Sequence, residues 1–215
     1  MIQRRPAALA LVVGLAASAM PLAAAAHPHG WIDVQTKLVV DAEGRLTKLE
    51  QAWLFDELYS SFILEDFRSL GQTVDEGLAE LAAADVEALR DYDFFTRLEH
   101  DGAKQAFGRV DSYANGVIDG RIWFKFDLPL AEPLAVRGDD LRYSVYDPSY
   151  YVEVLHAGGP PIVAGVDDTL DCIVEIVDPA PPSAMIGFAA SLDRGATGPD
   201  DLGVHFAQWV NVACD

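Results

Sequence analysis

Ile32-Asp33-Val34-Gln35-Thr36-Lys37-Leu38-Val39-Val40-Asp41-Ala42-Glu43-Gly44-Arg45-Leu46-Thr47-Lys48-Leu49-Glu50-Gln51-Ala52-Trp53-Leu54-Phe55-Asp56 reads as one long β-hairpin. Ile32, Val34, Thr36, Leu38 and Val40 alternate with Asp33, Gln35, Lys37 and Val39, the period of two that marks a half-buried strand. Asp41-Ala42-Glu43-Gly44-Arg45 supplies the turn, and the return strand runs from Leu46 to Asp56. Placing Thr47, Leu49, Trp53 and Phe55 on the buried face fixes the register, because a slip of one residue inverts every side chain. Ile32 then faces Phe55, Val34 faces Trp53, Leu38 faces Leu49, and Asp56 lies opposite Trp31.

Upstream of the hairpin stands His27-Pro28-His29-Gly30-Trp31. Residues two apart on a strand share a face, so His27, His29, Trp31 and Asp33 project away from the core side. Asp56 is a diagonal neighbour of both His29 and Asp33, at about 7–8 Å between Cα atoms, within reach of side chains converging on one ion. Before His27, Met1 to Pro6 carries Arg4 and Arg5, Ala7 to Met20 is uncharged and apolar, and Ala24-Ala25-Ala26 offers the small residues a signal peptidase reads. Residues 1–26 are therefore expected to be a cleaved secretory signal, and 27–215 a single exported domain. An apolar run of roughly 14 residues is short of the about 20 that span a bilayer, so no stable membrane insertion of the mature chain is expected.

Downstream, the pattern changes to helix from Glu57 to about Arg97. Leu58, Phe62, Ile63, Phe67 and Leu70 recur at three- and four-residue spacing, Gly71 stops the run, and Leu78, Leu81, Ala82, Val86 and Leu89 form a second one. Strand signals follow at Phe94–His100, Lys104–Tyr113, Val117–Leu128, Leu141–Tyr146, Tyr150–Leu155 and Leu170–Val177, with Asp101-Gly102 and Asn115-Gly116 read as turns. Pro179 to Pro182 reads as a loop, and Leu202 to Cys214 as an apolar segment of undetermined type. The fold expected is α+β and β-rich: an antiparallel sheet or sandwich with a helical hairpin inserted after the first β-hairpin.

The whole chain of 215 residues has a formal charge of −19. Without residues 1–26, two arginines go and no acid does, which leaves 13 basic against 34 acidic residues and a charge of −21. Nucleic acid and anionic membrane surfaces would be repelled by such a chain, whereas cations would be attracted. Cys172 and Cys214 are an even pair in a chain bound for an oxidising compartment, which favours a disulfide; a soft-metal dithiolate site is the alternative.

A histidine in third position normally permits a square-planar copper or nickel chelate through deprotonated amides, but Pro28 has no amide proton to lose. Two options remain. His27 could use its own amine and ring nitrogen as a copper-binding histidine brace, with His29, His156 or His205 as a further ligand, in a binding protein or an oxidase. Alternatively, His27 and His29 act as plain imidazole ligands beside Asp33 and Asp56, a borderline-to-hard set suited to zinc, nickel or cobalt. The carboxylates and the lack of a nearby methionine favour the second. Asp147 is either another ligand or an Asx-turn residue ahead of Pro148. His100 reads as a turn flank. No serine, histidine and acid stand at motif spacing, so no enzymatic turnover is expected, and a purely structural sandwich that binds no metal is a third possibility.

His27-Pro28-His29 with Ile32-Asp33, then Trp53-Leu54-Phe55-Asp56-Glu57, Asp147-Pro148-Ser149-Tyr150-Tyr151, and Phe206-Ala207 ahead of Cys214 together resemble an uncharacterised bacterial periplasmic family. That family is described as the periplasmic component of an ABC-type transport system and is associated with NicO-type nickel and cobalt permeases and with ZevA-like zinc-uptake accessory proteins. The resemblance spans nearly all of residues 27–215. It implies a periplasmic accessory that binds a divalent transition metal, zinc foremost, or hands it to a membrane permease. The expected ligand set is His27, His29, Asp33, Asp56 and Asp147.

Overall fold

The computed structural model of the chain describes residues 27–157, 160–164, 171–193 and 196–215, with the backbone alone at 139 and 140. The expected signal segment 1–26 and the expected strand start at Leu170 lie outside the described residues. Strand β1 (Gly30–Val40) and strand β2 (Arg45–Phe55) form the hairpin in the expected register, Ile32 opposite Phe55, Val34 opposite Trp53 and Leu38 opposite Leu49. One detail differs near the turn. Val39 pairs with Lys48 but Val40 pairs with Leu46, so Thr47 is the extra residue of a bulge. Leu46 rather than Thr47 therefore enters the core, and the Thr47 hydroxyl donates to the Val39 carbonyl at 3.1 Å.

Helix α1 (Glu57–Ser69) and helix α2 (Val74–Leu89) follow directly. Asp56 caps α1, and Thr73 with Glu76 forms a reciprocal capping box on α2, satisfying amides that have no partner inside the helix. Gly71, at φ 72°, takes the left-handed conformation that ends α1. The hairpin packs Phe67 and Leu78 against Ile122, while Ala82 and Val86 of α2 join the main core. Beyond α2 a 3-10 turn spans Arg90–Phe95, in which Asp93, Phe94 and Phe95 all have φ near 50°. This left-handed run is unfavourable for residues with a Cβ. Its compensation is packing: Phe94 is buried and Phe95 stacks on Trp53 with ring centroids 6.0 Å apart. The next strand thus begins at Thr96, two residues later than the sequence pattern predicts.

Nine further strands and a third helix follow among the described residues: β3 (Thr96–His100), β4 (Ala103–Lys104), β5 (Tyr113–Ile118), β6 (Arg121–Ala135), β7 (Gly138–Val145), β8 (Val152–His156), β9 (Ile162–Ala164), β10 (Cys172–Val177), α3 (Ser183–Ser191) and β11 (Trp209–Cys214). The first sheet has the order β5-β6-β2-β1-β8, with β9 also on β1. Its β8 and β9 run parallel to β1, so the sheet is mixed rather than antiparallel throughout. The second sheet comprises β4-β3-β7 and β10-β11, with β11 beside β7, where the Ser144 hydroxyl donates to the Gln208 carbonyl at 2.6 Å. Trp53, Leu49 and Phe124 of the first sheet and Leu98, Tyr143 and Val210 of the second belong to one hydrophobic cluster. The result is the expected class, a β-rich α+β fold with a helical hairpin after the first β-hairpin.

One turn assignment changes. Asn115-Gly116 lies inside β5, and the turn is Asp119-Gly120, whose φ values of 50° and 80° suit a two-residue hairpin between Ile118 and Arg121. Gly116 serves packing instead, since a Cβ there would sit 2.6 Å from the Trp123 ring. Helix α3, after the Pro179–Pro182 loop, is absent from the sequence reading. Cys172 and Cys214 form a disulfide across the β10–β11 pair, with Cα atoms 4.1 Å apart.

Candidate metal centre

The segment ahead of β1 is tied into the first sheet. The His29 amide donates to the Tyr151 carbonyl at 2.8 Å, and Gly30 then pairs with Val152 as the parallel β1–β8 ladder begins. This pairing brings three rings together: His27 and His29 lie 4.7 Å apart between centroids, and Tyr151 is 5.9 Å from His27 and 4.7 Å from His29. His27 is only 4% exposed, and neither of its ring nitrogens has a hydrogen-bond partner among the described residues. A buried polar group left in that state costs about 1–3 kcal/mol unless something supplies the missing interaction. A metal ion is such a partner, and imidazole is the commonest nitrogen ligand for one.

The three carboxylates expected beside the histidines are engaged elsewhere. Asp33 accepts from Arg121 Nη2 at 2.9 Å, an ion pair that also anchors the guanidinium to the Phe55 and Leu54 carbonyls. Asp56 accepts from the Tyr59 amide at 2.8 Å through one oxygen and from the Trp31 amide at 3.0 Å through the other, so it holds the start of α1 against the start of β1. Asp147 accepts from the Ser149 amide and hydroxyl, both at 2.9 Å, and from the Val152 amide at 3.0 Å, which is the Asx-turn alternative. Among the described residues, no three or more His, Cys, Asp or Glu side chains are grouped to hold one metal ion. The histidine pair is therefore the part of the expected set that the fold assembles.

His156 makes its contacts inside the protein: its amide donates to Gln208 Oε1 at 2.7 Å, and Nε2 lies 3.4 Å from the Tyr143 hydroxyl. Burial holds its imidazole below the ordinary value, against the opposing effect of Gln208. His100 sits 3.7 Å from Asp101 at the end of β3, and His205 is exposed on a 3-10 turn. Tyr151 is the neighbour that the sequence reading missed as a site residue. Its approach to His27 depends on a parallel pairing over more than a hundred residues of chain, for which no local pattern exists.

The Asp147–Tyr151 segment has a structural partner of its own. Tyr150 stacks on Phe206 with centroids 3.9 Å apart, and the Gly203 amide donates to the Pro148 carbonyl at 2.8 Å. A Cβ at Gly203 would lie 1.9 Å from the Asp147 carbonyl oxygen, so only glycine permits that approach. The fold, the buried His27 and the half-buried His29 thus define a two-sheet α+β protein with an imidazole-bearing chain segment paired to its first sheet. The chain belongs to the family described as "Protein of unknown function (DUF1007)", whose pattern matches residues 12–214. A protein of Haemophilus influenzae described as "Uncharacterized protein" is 26% identical over 195 residues, covering 88% of this chain and 92% of that protein. No solved structure matches the chain.

Proposed function

We propose that the chain is exported, is cut after Ala26, and acts in the periplasm as an accessory that binds a divalent transition metal through His27 and His29. Zinc is the first candidate, with nickel and cobalt next, and the recipient is a membrane permease of the NicO type. The observation that carries this reading is the His27 ring, buried with both nitrogens unpartnered among the described residues and 4.7 Å from the His29 ring. The strongly acidic composition supports it by drawing cations toward the surface. Among the described residues no helix is long and apolar enough to cross a membrane, which is consistent with an accessory rather than the permease itself. The permease and the zinc-uptake context come from the family resemblance.

A second reading has an observation behind it. With Asp33, Asp56 and Asp147 engaged in hydrogen bonds, nitrogen donors remain, and cleavage before His27 would add an amine to its ring. That is a histidine brace, which favours copper. Calorimetry on protein beginning at His27 separates the readings. Zinc, nickel or cobalt should bind wild type, and a His27→Ala, His29→Ala double variant should bind at least tenfold more weakly; unchanged affinity overturns the assignment. A type-2 copper spectrum, with zinc failing to compete, would select the brace.

A further inference from the structure

Asp85 has a carboxylate that nothing in the metal reading uses. It stands on α2, partly buried, and burial alone pushes its carboxyl up to about 6, with no hydrogen bond or ion pair among the described residues to hold it down. It lines a cavity of about 180 Å³ whose walls include the rings of Trp31, Trp53, Phe55, Tyr59 and Phe95. Asp56 is a second acid on the same wall. Both acids also act on Tyr59, whose hydroxyl is pushed up to about 12 by burial first and then by Asp85 and Asp56.

We propose that this aromatic-walled cavity beside α2 is a binding site for a small substituted ammonium ion, with Asp85 as the counter-charge. Five aromatic rings line it, and aromatic rings attract a positive charge with hydrocarbon around it. An unpaired carboxylate beside them supplies the full opposite charge, which would repel an anion and which a neutral polyol would leave uncompensated. A hard metal ion is a poor match because such ions take several oxygen ligands and waters, and this wall is mostly carbon. The volume, below the roughly 300–1,000 Å³ of drug-sized ligand sites, suits a compact occupant of the size of choline. Trp31 is 44% exposed and is fixed by its indole nitrogen donating to Glu153 at 2.8 Å, so one wall is both in reach of solvent and held in place. The acidic surface raises the local concentration of any cation. None of this depends on the histidine pair.

Choline and its neutral isostere 3,3-dimethylbutan-1-ol, titrated into metal-free wild-type protein while tryptophan emission is followed, test the site. Trp31 and Trp53 line the cavity, so choline should give a saturable change, the isostere should bind at least tenfold more weakly, and Asp85→Asn should lose at least tenfold in choline affinity while keeping the wild-type circular dichroism. Equal binding of the isostere, an unchanged Asp85→Asn variant, or no saturable response in wild type overturns the proposal. So does binding to phosphatidylcholine vesicles without affinity for free choline.

Discussion

Asp85 and Glu99 show how differently two partly or fully buried acids can be treated within one fold. Burial also pushes Glu99 up, but Arg142 and Arg97 outweigh it at 2.7 Å and 2.6 Å and leave the carboxyl below its usual range. Asp85 has no such partner, so its carboxyl titrates at about 6 in the folded chain against 3.8 when unperturbed. The folded state then holds a proton that the unfolded state has released between those values, and stability falls as pH climbs from about 4 to 6. The penalty is complete above pH 6. Asp85→Asn should therefore stabilise the protein at pH 7.5 by about 1–3 kcal/mol, with the gain shrinking to nothing below pH 4, in urea denaturation run as a pH series. A gain that is the same at pH 4 and 7.5 would sink this account. At this scale the sequence was partly legible: the two-residue spacing of His27 and His29 announced that their rings would lie together. That Asp33, Asp56 and Asp147 are held by Arg121, by the α1 cap and by an Asx turn depends on partners that local patterns do not name, such as an arginine 88 residues away.

Among the elements, the β1–β2 hairpin and the α1–α2 pair were readable because both carry long, regular apolar periods with strong end signals. The β5–β6 hairpin was misplaced because Asn115-Gly116 is a favourable turn pair by composition, yet tertiary packing uses both residues otherwise. Asn115 Nδ2 donates to the Leu78 carbonyl at 2.6 Å, tying β5 to α2, and Gly116 makes room for the Trp123 ring. Gly116→Ala should consequently destabilise by about 1–3 kcal/mol through overpacking against that ring. Pairing it with Trp123→Leu should recover part of the loss, because the two residues touch. Thermal denaturation of the two single variants and the double variant checks this; additive losses would mean that the Trp123 ring is not what excludes a side chain at Gly116. Helix α3 went unread because its sequence, Ser183-Ala184-Met185-Ile186-Gly187-Phe188-Ala189-Ala190-Ser191, is apolar without a clear periodic stripe. The parallel β8 and β9 were beyond local reading for the same reason as Tyr151: their partner strand is far away in sequence.

For the whole molecule, the disulfide decides how firmly the end of the chain belongs to the second sheet. Cys172 and Cys214 face each other at the outer end of the β10–β11 pair, 42 residues apart, and Cys214 is part of the main hydrophobic cluster. β10 pairs with β11 along six registered positions, and β11 lies against β7, so β10 reaches the body of the fold through β11. Ile173 on β10 is 74% exposed, and Cys172, Val174 and Ile176 on the other face are only partly buried against the main cluster. In the chain-entropy account, a crosslink spanning about 40 residues removes roughly 3–4 kcal/mol of unfolded-state freedom. A Cys172→Ser, Cys214→Ser double variant, or wild type under strong reductant, should lose stability of that order in chemical denaturation. Hydrogen exchange should show more: the amides of β10 should lose protection first, while those of β1, β2 and β6 at the centre of the first sheet exchange only with global unfolding. Uniform loss across both sheets would mean that the bridge acts on the unfolded chain alone, and that β10 is held by its ladder to β11 without help from the crosslink.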